Sequence, residues 1–242
     1  MGHHNHDFSG DVYALTGVWG PPTSWANFCE EDYAVTRYTA EFINTLSNVA
    51  YVYLALRSPG RHHGHRGALL SLSNLDAMSQ CMILVGVTST VFHGTLLLNA
   101  QLADELSMLV LATAMLHRLY TVGRSRLVKQ AVTVALLSIT TGLAVAYVRS
   151  GNVMYHVTIF GAQLTAEGKR AKYLRQWANA VIALAVGYAL WHVDLEFCEP
   201  LRSWRLALGV PWSFLMEFHG WWHVLTAVGA MEYIKLIREL CP

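Results

Sequence analysis

The sequence predicts an all-α integral membrane protein, a seven-transmembrane helix bundle with a lumenal or extracellular N-terminus and a cytosolic C-terminus. Of its 242 residues, 54% are hydrophobic and 14% are charged, which is too apolar for an ordinary soluble domain. Seven apolar runs follow one another along the chain, and the basic residues between them are distributed unevenly over the two sides. The formal net charge of +1 provides no general attraction to nucleic acid, so nucleic acid is not expected as a partner.

The first apolar run covers residues 38–56, close to the roughly 20 residues that a helix needs to cross a bilayer. It carries Glu41, Asn44 and Asn48 on one side. This side is expected to face the bundle, because polar groups are costly in contact with lipid. Six more runs complete the predicted bundle, of which the run 152–166 is the shortest and weakest. They cover residues 77–98, 102–122, 127–148, 152–166, 174–193 and 209–234.

The basic residues predict the orientation of the bundle. With seven spans, most of the 17 lysines and arginines lie in loops on one side, whereas the other side keeps Arg37, Arg149, Arg202 and Arg205. The positive-inside rule therefore places the N-terminus on the lumenal side and the C-terminus in the cytosol. The predicted organisation is a lumenal segment over 1–37, a seven-transmembrane domain over 38–238 and a cytosolic tail over 239–242.

The cysteines agree with this orientation. Cys29 precedes the first run and Cys198 lies between the sixth and the seventh, so both are expected on the lumenal side, where disulfides persist. The two could form a disulfide, or they could share a side by coincidence. A six-span count would separate them, which also favours seven spans. Cys81, within the second run, and Cys241, at the cytosolic end, are interpreted as free thiols.

Three histidines predict a metal site inside the bundle. His219 and His223 are four residues apart, so they lie one above the other on one face of a helix, at the spacing with which two imidazoles hold one zinc ion. With the last span beginning near Gly209, they lie two to four turns into it, and His93 lies near the lumenal end of the second span. A single histidine in an apolar helix is usually a hydrogen-bonded core residue. Three histidines that bind one metal ion and leave one of its coordination positions open to exchange predict a catalytic zinc.

Two further polar residues are placed to act beside this metal. Asp104 opens the third span on the same side as His93, where it could orient or deprotonate a water molecule. Ser89, one turn before His93, could donate a hydrogen bond to an oxyanion. The alternatives are that Asp104 only caps its helix and that Ser89 bonds its own backbone. Gly220 stands where the His-Glu-x-x-His helix of soluble metalloproteases has its glutamate.

An acidic cluster before the first span predicts a second kind of metal site. The stretch Asn27-Phe28-Cys29-Glu30-Glu31-Asp32 is followed by Glu41, nine residues after Asp32. Amide, carboxylate and backbone carbonyl oxygens are the ligands that calcium prefers. The spacing does not fit an EF-hand, and an acidic loop exposed to solvent is the alternative.

Several short motifs stand in a recognisable order along the chain. They are Phe28-Cys29-Glu30-Glu31-Asp32-Tyr33, Ala40-Glu41-Phe42-Ile43-Asn44-Thr45-Leu46-Ser47-Asn48, Ser89-x-x-x-His93, Asp104-Glu105-Leu106, Trp191-x-x-Asp194 with Phe197-Cys198-Glu199, and Phe218-His219-Gly220-Trp221-Trp222-His223. In order and spacing these motifs resemble the alkaline ceramidases over about residues 18–235. The resemblance implies a seven-helix membrane hydrolase of the endoplasmic reticulum or Golgi, which cleaves ceramide within the lipid bilayer to sphingosine and a fatty acid.

The resemblance also implies a role for each candidate residue. The zinc ligands fall on His93, His219 and His223, and the catalytic serine and aspartate fall on Ser89 and Asp104. The disulfide falls on Cys29 and Cys198. The calcium ligands of the family fall on five positions near the N-terminus. They are Asn27, Phe28 through its backbone carbonyl, Glu30, Asp32 and Glu41.

The chain departs from the family pattern at a few of these positions. The family usually has Asp-Trp at positions 27–28 and Asn at 32, whereas this chain has Asn27-Phe28 and Asp32, so the number of carboxylates is unchanged. Ile43 replaces a common tryptophan. Together with the predicted zinc site, the resemblance implies a zinc-dependent intramembrane amidase that uses a metal-activated water and acts on a long-chain N-acyl sphingoid base.

Two alternatives belong to other functional classes. The first is a seven-helix receptor of the adiponectin-receptor kind, which has a similar Ser, Asp and three-His pattern and only incidental hydrolysis. Receptors of that kind keep the N-terminus in the cytosol, whereas the charges here predict it outside. The second is a zinc transporter, which would require metal sites along a pathway, whereas the sequence predicts one zinc site.

Overall fold

The computed structural model describes residues 11–58, 75–150 and 174–241, and its regular elements are helices. An isolated β-bridge between Thr36 and Thr39 is the only extended pairing among these residues. The helices are numbered in chain order. They are α1 Phe42–Ser47, α2 Val49–Arg57, α3 Ala77–Thr95, α4 Leu98–Thr121, α5 Arg126–Ser150, α6 Leu174–Glu196, α7 Cys198–Leu208, the short 3-10 helix η1 Trp212–Met216, and α8 Phe218–Leu240.

Helices cover six of the seven predicted apolar runs, and the run 152–166 lies outside the described residues. The prediction of an all-helical protein is therefore confirmed for the described part of the chain. The first run is divided at Asn48 into α1 and α2. α8 continues to Leu240, past the start of the tail predicted from residue 239.

The predicted start of the last span near Gly209 was wrong. α7 ends at Leu208, and Gly209 has a φ of +66°, a conformation outside a right-handed helix. Pro211 follows and lacks the N–H that would continue helical hydrogen bonding. α8 begins only at Phe218, so His219 and His223 lie in its first two turns. Hydropathy alone did not show this break, because residues 209–216 are apolar although they do not form an α-helix.

Two of the described helices, α5 and α6, are long and apolar enough to cross a membrane by length and composition alone. The other long helices carry polar side chains that are buried in the bundle, which lowers their mean hydropathy. Among these side chains are His93 on α3, Asp104 on α4 and His219 on α8. The arrangement with seven spans and its orientation stay predictions.

α8 is the central helix of the described bundle. It packs most extensively against α6 and also contacts α1, α2, α3 and α4. Its buried side chains include Ala227, Met231 and Ile234, which belong to the larger hydrophobic core. A second core lies around Phe28, Phe92 and Trp222, and it joins the N-terminal segment to α3 and α8. The first turns of α8 are therefore enclosed by packed side chains.

The opposite end of α8 is fixed by a charged cluster. Arg238 donates two hydrogen bonds of 2.8 Å to the carboxylate of Asp76 and one of 2.6 Å to the carbonyl of Ser58. Asp76 also caps α3 by accepting from the N–H of Ser79. Burial alone would raise the pKa of Asp76, but the hydrogen bonds from Arg238 and Ser79 hold that pKa below its ordinary value. This cluster joins the ends of α2, α3 and α8.

Candidate metal centre

The structure brings His93, His219 and His223 together. All three side chains are buried, with exposed fractions of 1%, 3% and 3%. Each offers one ring nitrogen, and these nitrogens all lie within 4.8 Å of one another. Within the described ranges, this is the one group of three or more His, Cys, Asp or Glu side chains that is close enough to hold a metal ion. His93 comes from the last turns of α3, and the other two come from the start of α8.

Hydrogen bonds to the far side of two rings determine which nitrogen faces the centre. His93 Nδ1 lies 2.5 Å from Glu41 Oε2, so it donates to that carboxylate. Ser47 donates its single hydroxyl hydrogen to the carbonyl of Asn44 at 2.8 Å, so it accepts from His223 Nδ1, also at 2.8 Å. In both histidines the proton is therefore on Nδ1, which leaves the lone pair of Nε2 for a metal.

The third histidine has a different environment. The ring of Phe28 stacks on the ring of His219, with 3.6 Å between the centroids. His219 Nδ1 is buried and has no hydrogen-bond partner in the part of the chain that the structure describes. A buried nitrogen without a partner carries a desolvation cost that a bound metal would offset. The three imidazoles are thus compatible with a metal ion.

Glycine at position 220 allows this arrangement. A Cβ at Gly220 would lie 3.2 Å from Ile43 Cγ2 and 3.7 Å from Ser47 Cβ, so a larger side chain would push α1 away from α8. This close approach of the two helices is what places Ser47 beside His223. From the sequence alone, Gly220 shows only that the glutamate of the metalloprotease motif is absent.

Ser89 and Asp104 lie next to each other on α3 and α4. Ser89 is 2% exposed and Asp104 is 7% exposed, and the Ser89 hydroxyl lies close enough to the Asp104 carboxylate to interact with it electrostatically. Asp104 does not cap its helix, because α4 begins at Leu98 and its N-cap residue is Leu97. Asp104 Oδ1 has no hydrogen-bond partner among the described residues. One buried carboxylate oxygen therefore remains available as an acceptor.

The five predicted calcium ligands are all buried, and several of their oxygens are already engaged. Glu30 accepts from the backbone N–H groups of Ile43 at 2.6 Å and Asn44 at 2.9 Å, so it caps the N-terminus of α1. Glu41 accepts from the N–H of Phe28 at 3.1 Å through Oε1 and contacts His93 through Oε2. Glu41 therefore connects the N-terminal segment directly to the candidate metal centre.

Two other oxygens of this cluster have no partner among the described residues. They are Asn27 Oδ1 and Asp32 Oδ1, and both are buried. The Asn27 amide donates to the other oxygen of Asp32 at 3.4 Å. Burial, reinforced by the negative charge of Glu41, raises the pKa of both Glu30 and Asp32 to about 8. A cation would offset the cost of these buried carboxylates, although their side chains do not form a group as close as the three histidines.

The structure joins Cys29 and Cys198 in a disulfide with a Cα–Cα distance of 5.2 Å, whereas Cys81 and Cys241 are free. The bond ties the N-terminal segment to the first residue of α7. The carbonyl of Cys29 also accepts from Arg205 at 2.9 Å. The predicted calcium cluster and the segment before α8 are therefore held to each other by covalent and polar contacts.

Two buried charged residues near this disulfide were not identified as site residues from the sequence. Asp194 on α6 accepts from the N–H of Cys29 at 3.0 Å and from the N–H of His219 at 3.4 Å. Arg205 on α7 pairs with Glu217 at 3.0 Å and lies 3.7 Å from Asp194. Together they connect the first turn of α8 to α6, α7 and the N-terminal segment. An ionisable residue at the end of an apolar run, such as Asp194, was the available signal.

Comparisons with known proteins agree on one family. The family model described as Ceramidase matches residues 20–240 of this chain. Alkaline ceramidase 3 of Mus musculus is 27% identical over 90% of this chain and 84% of its own length. Alkaline ceramidase YPC1 of Saccharomyces cerevisiae is 30% identical over 94% of this chain and 79% of its own length. The alkaline ceramidase of Arabidopsis thaliana is 26% identical over 88% and 82%. The resemblance predicted from the motifs is therefore confirmed, and the chain belongs to the ceramidase family of enzymes.

Proposed function

We propose that the protein hydrolyses the amide bond of ceramide to release a sphingoid base and a free fatty acid, with Zn²⁺ bound by His93, His219 and His223. The observation that carries the proposal is the buried histidine triad, in which two of the three rings have Nε2 free for a metal. Membership of the ceramidase family supports the substrate class.

Zinc is the metal that suits these ligands. Three neutral imidazoles, with a further position left open, are typical of catalytic zinc. Bound there, Zn²⁺ would supply Lewis-acid polarisation of the amide carbonyl and would favour ionisation of water at neutral pH. Glu41 and Ser47 would hold the rings of His93 and His223 in the orientation that binding requires.

Asp104 is the proposed general base and general acid. It takes the proton of the water that attacks the amide carbonyl and then gives this proton to the leaving nitrogen, because an amide nitrogen does not depart as an anion. The free oxygen of its buried carboxylate supports this role. Ser89 donates a hydrogen bond to the carbonyl oxygen as negative charge develops there. To do so, Ser89 turns its hydroxyl from the neighbouring Asp104 carboxylate toward the substrate.

Ser89 is not proposed as a nucleophile. A serine nucleophile requires a neighbouring base, usually a histidine, and the three histidines of the centre are assigned to the metal. Asp104 is the partner of Ser89 in this fold, and its proposed role is the proton transfer just described. The proposed reaction is therefore a direct attack by water on the amide without an acyl-enzyme.

We assign calcium to the cluster of Asn27, Phe28, Glu30, Asp32 and Glu41, in a structural or regulatory role. The buried oxygens of Asn27 and Asp32 that lack partners support a cation there. The two contacts of Glu41, with Phe28 and with His93, give calcium a route to influence the zinc centre.

The site is proposed to lie in the lumenal half of a seven-span bundle of the endoplasmic reticulum or Golgi membrane. The exposed apolar surface of α5, which includes Leu127, Val134 and Leu137, supports contact with lipid. A site within the bilayer suits ceramide, because a lipid with two long chains would not need to leave the membrane. The disulfide between Cys29 and Cys198 supports a lumenal N-terminal segment.

The test is hydrolysis of a panel of ceramides by the purified protein, before and after removal of metal by a chelator. We expect loss of activity on chelation, recovery on addition of Zn²⁺, and neither bound zinc nor activity in His219→Ala. His117→Ala is the matched control, since His117 lies on α4, outside the triad, and bonds Thr133. Full zinc content and activity in His219→Ala would refute the metal assignment. A zinc-loaded protein that cleaves none of the ceramides would favour the receptor alternative.

A further inference from the structure

The segment between α6 and α8 has an exposed apolar surface that the proposed chemistry does not use. Phe197, the N-cap residue of α7, and Trp204 and Leu208 within the helix are spaced by seven and four residues, and all three are exposed and form an apolar stripe. Leu201 falls on the same side by spacing but is 1% exposed, so the protein covers part of this side, and Leu206, on another side, is 79% exposed. The surface continues beyond the helix with Val210 and Trp212, which are 74% and 63% exposed. No charged residue occurs from Leu206 to Met216.

Part of α7 is attached to the protein. Leu201 is buried, and Arg205 donates to the carbonyls of Cys29 and Met216. Arg202 pairs with Asp11 and donates to the Cys29 carbonyl at 3.0 Å. Contacts with the N-terminal segment and with the residues before α8 thus hold the helix in place, whereas Trp204 and Leu208 remain exposed.

The position of α7 in the chain indicates what covers this stripe. α7 follows α6 after the single residue Phe197, and α6 is one of the two described helices that are apolar enough to cross a membrane. An α7 of 11 residues is about 16 Å long, too short to cross a hydrocarbon core of about 30 Å. A short amphipathic helix that follows a spanning helix is expected to lie along the bilayer surface.

The aromatic residues agree with this placement. Trp204 and Trp212 are exposed, and the exposed Trp221, at the start of α8, donates its indole N–H to the carbonyl of Leu215 at 3.0 Å. Tryptophan side chains are enriched at the boundary between acyl chains and headgroups. A contiguous apolar surface of this kind is rarely left in water.

We propose that α7 and η1 form an interfacial membrane surface, which lies in the boundary between headgroups and acyl chains of the leaflet next to the metal centre. We define this interfacial surface by Phe197, Trp204, Leu208, Val210 and Trp212. Its occupant is lipid, not a second protein chain. The surface is neutral, so its contact with the leaflet does not depend on anionic lipids.

The interfacial surface would also fix the depth of the metal centre in the bilayer. This consequence rests on the proposed function. The carbonyl of Met216, the last residue of η1, accepts from Arg205, and α8 begins two residues later with His219 in its first turn. The amide of a ceramide lies close to the headgroup level of a bilayer. A centre attached to the interfacial surface would meet the amide there, while both chains remain in the leaflet.

The test measures the depth of single positions in the full-length protein. A nitroxide is attached to Trp204→Cys or Leu208→Cys in a Cys81→Ser/Cys241→Ser background with the native disulfide intact, and the protein is placed in phosphatidylcholine nanodiscs. Collision with oxygen, which partitions into lipid, is compared with collision with a water-soluble nickel chelate. Ser203→Cys is the matched control, since Ser203 is exposed and polar and lies on another side of α7. We expect the ratio of oxygen to nickel accessibility to be several-fold higher at positions 204 and 208 than at 203.

Equal ratios at positions 204, 208 and 203 would overturn the proposal, because the stripe would then face water. A second chain as the occupant would also overturn the proposal. It would give low accessibility to both reagents, together with dipolar coupling between labels on two copies of the protein in liposomes. The measurement does not require turnover. A protein with lipid-exposed labels that cleaves no ceramide would therefore refute the proposed function and leave the interfacial surface standing.

Discussion

Replacement of Glu41 by glutamine tests the connection between the N-terminal segment and the proposed zinc centre. Glu41 is fully buried, and its Oε2 lies 2.5 Å from His93 Nδ1. Glutamine has nearly the same size, so packing should be preserved. An amide is a weaker acceptor than a carboxylate, and it can also turn its NH₂ group toward the histidine. The His93 ring would then be held less firmly, and its Nε2 would be a poorer metal ligand.

The expected effect follows from the position of Glu41 behind a ligand. Loss of a carboxylate that orients a metal-binding histidine typically lowers metal affinity by about 10–100-fold, which corresponds to about 1.4–2.7 kcal/mol. We expect a loss of this size for Zn²⁺ in Glu41→Gln, measured by competition with a chelator of known affinity. An unchanged affinity for Zn²⁺ would refute the reasoning, because the contact between Glu41 and His93 would then not support the metal.

Glu30→Gln is the matched control, since it separates effects on calcium from effects on zinc. Glu30 is buried in the same cluster, but its carboxylate accepts from backbone N–H groups of α1 and does not contact a histidine. We expect Glu30→Gln to reduce stabilisation by calcium and to leave the affinity for Zn²⁺ near that of the unmodified protein. Glu41→Gln should reduce both. Equal loss of zinc affinity in the two variants would mean that the acidic cluster affects the metal centre by ordering the surrounding fold, and not through the contact between Glu41 and His93.

Four further predictions concern catalysis and stability. Asp104→Asn should keep zinc and lose nearly all turnover, whereas Ser89→Ala should lose about 10²–10³ in kcat. Hydrolysis in oxygen-18 water should label the fatty acid within a single turnover, and an ester trapped on Ser89 would contradict direct attack by water. Replacement of both Cys29 and Cys198 by serine should lower the free energy of unfolding by about 2–5 kcal/mol in a denaturant titration, and alkylation of both thiols in unreduced native protein would contradict the disulfide. The pKa of Asp76 lies below its ordinary value, so its carboxylate stabilises the fold above about pH 4, and this stabilisation is lost as pH falls through the lowered pKa. Asp76→Asn should therefore lower the thermal unfolding midpoint at neutral pH. In acid, the midpoints of the variant and the unmodified protein should lie closer together. An equal difference between the two midpoints at both pH values would count against a stabilising role of the charged cluster.

Several features of the protein are determined by local sequence. Apolar runs of helical length predict helices, because apolar side chains are placed in a protein core or in lipid, where a helix satisfies the backbone hydrogen bonds. Helices cover six of the runs in the described part of the chain. The spacing of His219 and His223 places both on one face of α8, since that relation depends only on the helical repeat. The order of short motifs was sufficient to identify the ceramidase family. The limits of the last helix were not predicted, because hydropathy does not distinguish α8 from the apolar residues before it.

The tertiary structure decides the features that depend on contacts between distant parts of the chain. Which nitrogen of His93 and of His223 faces the centre depends on Glu41 and Ser47, and neither partner lies near its histidine in sequence. The proximity of Ser89 to Asp104 depends on how α3 packs against α4. The polar attachment of Arg205, and with it the exposure of Trp204 and Leu208, depends on where the N-terminal segment crosses that helix. The helical repeat shows which residues share one face of a helix, but the residues that this face contacts depend on how the helices pack together.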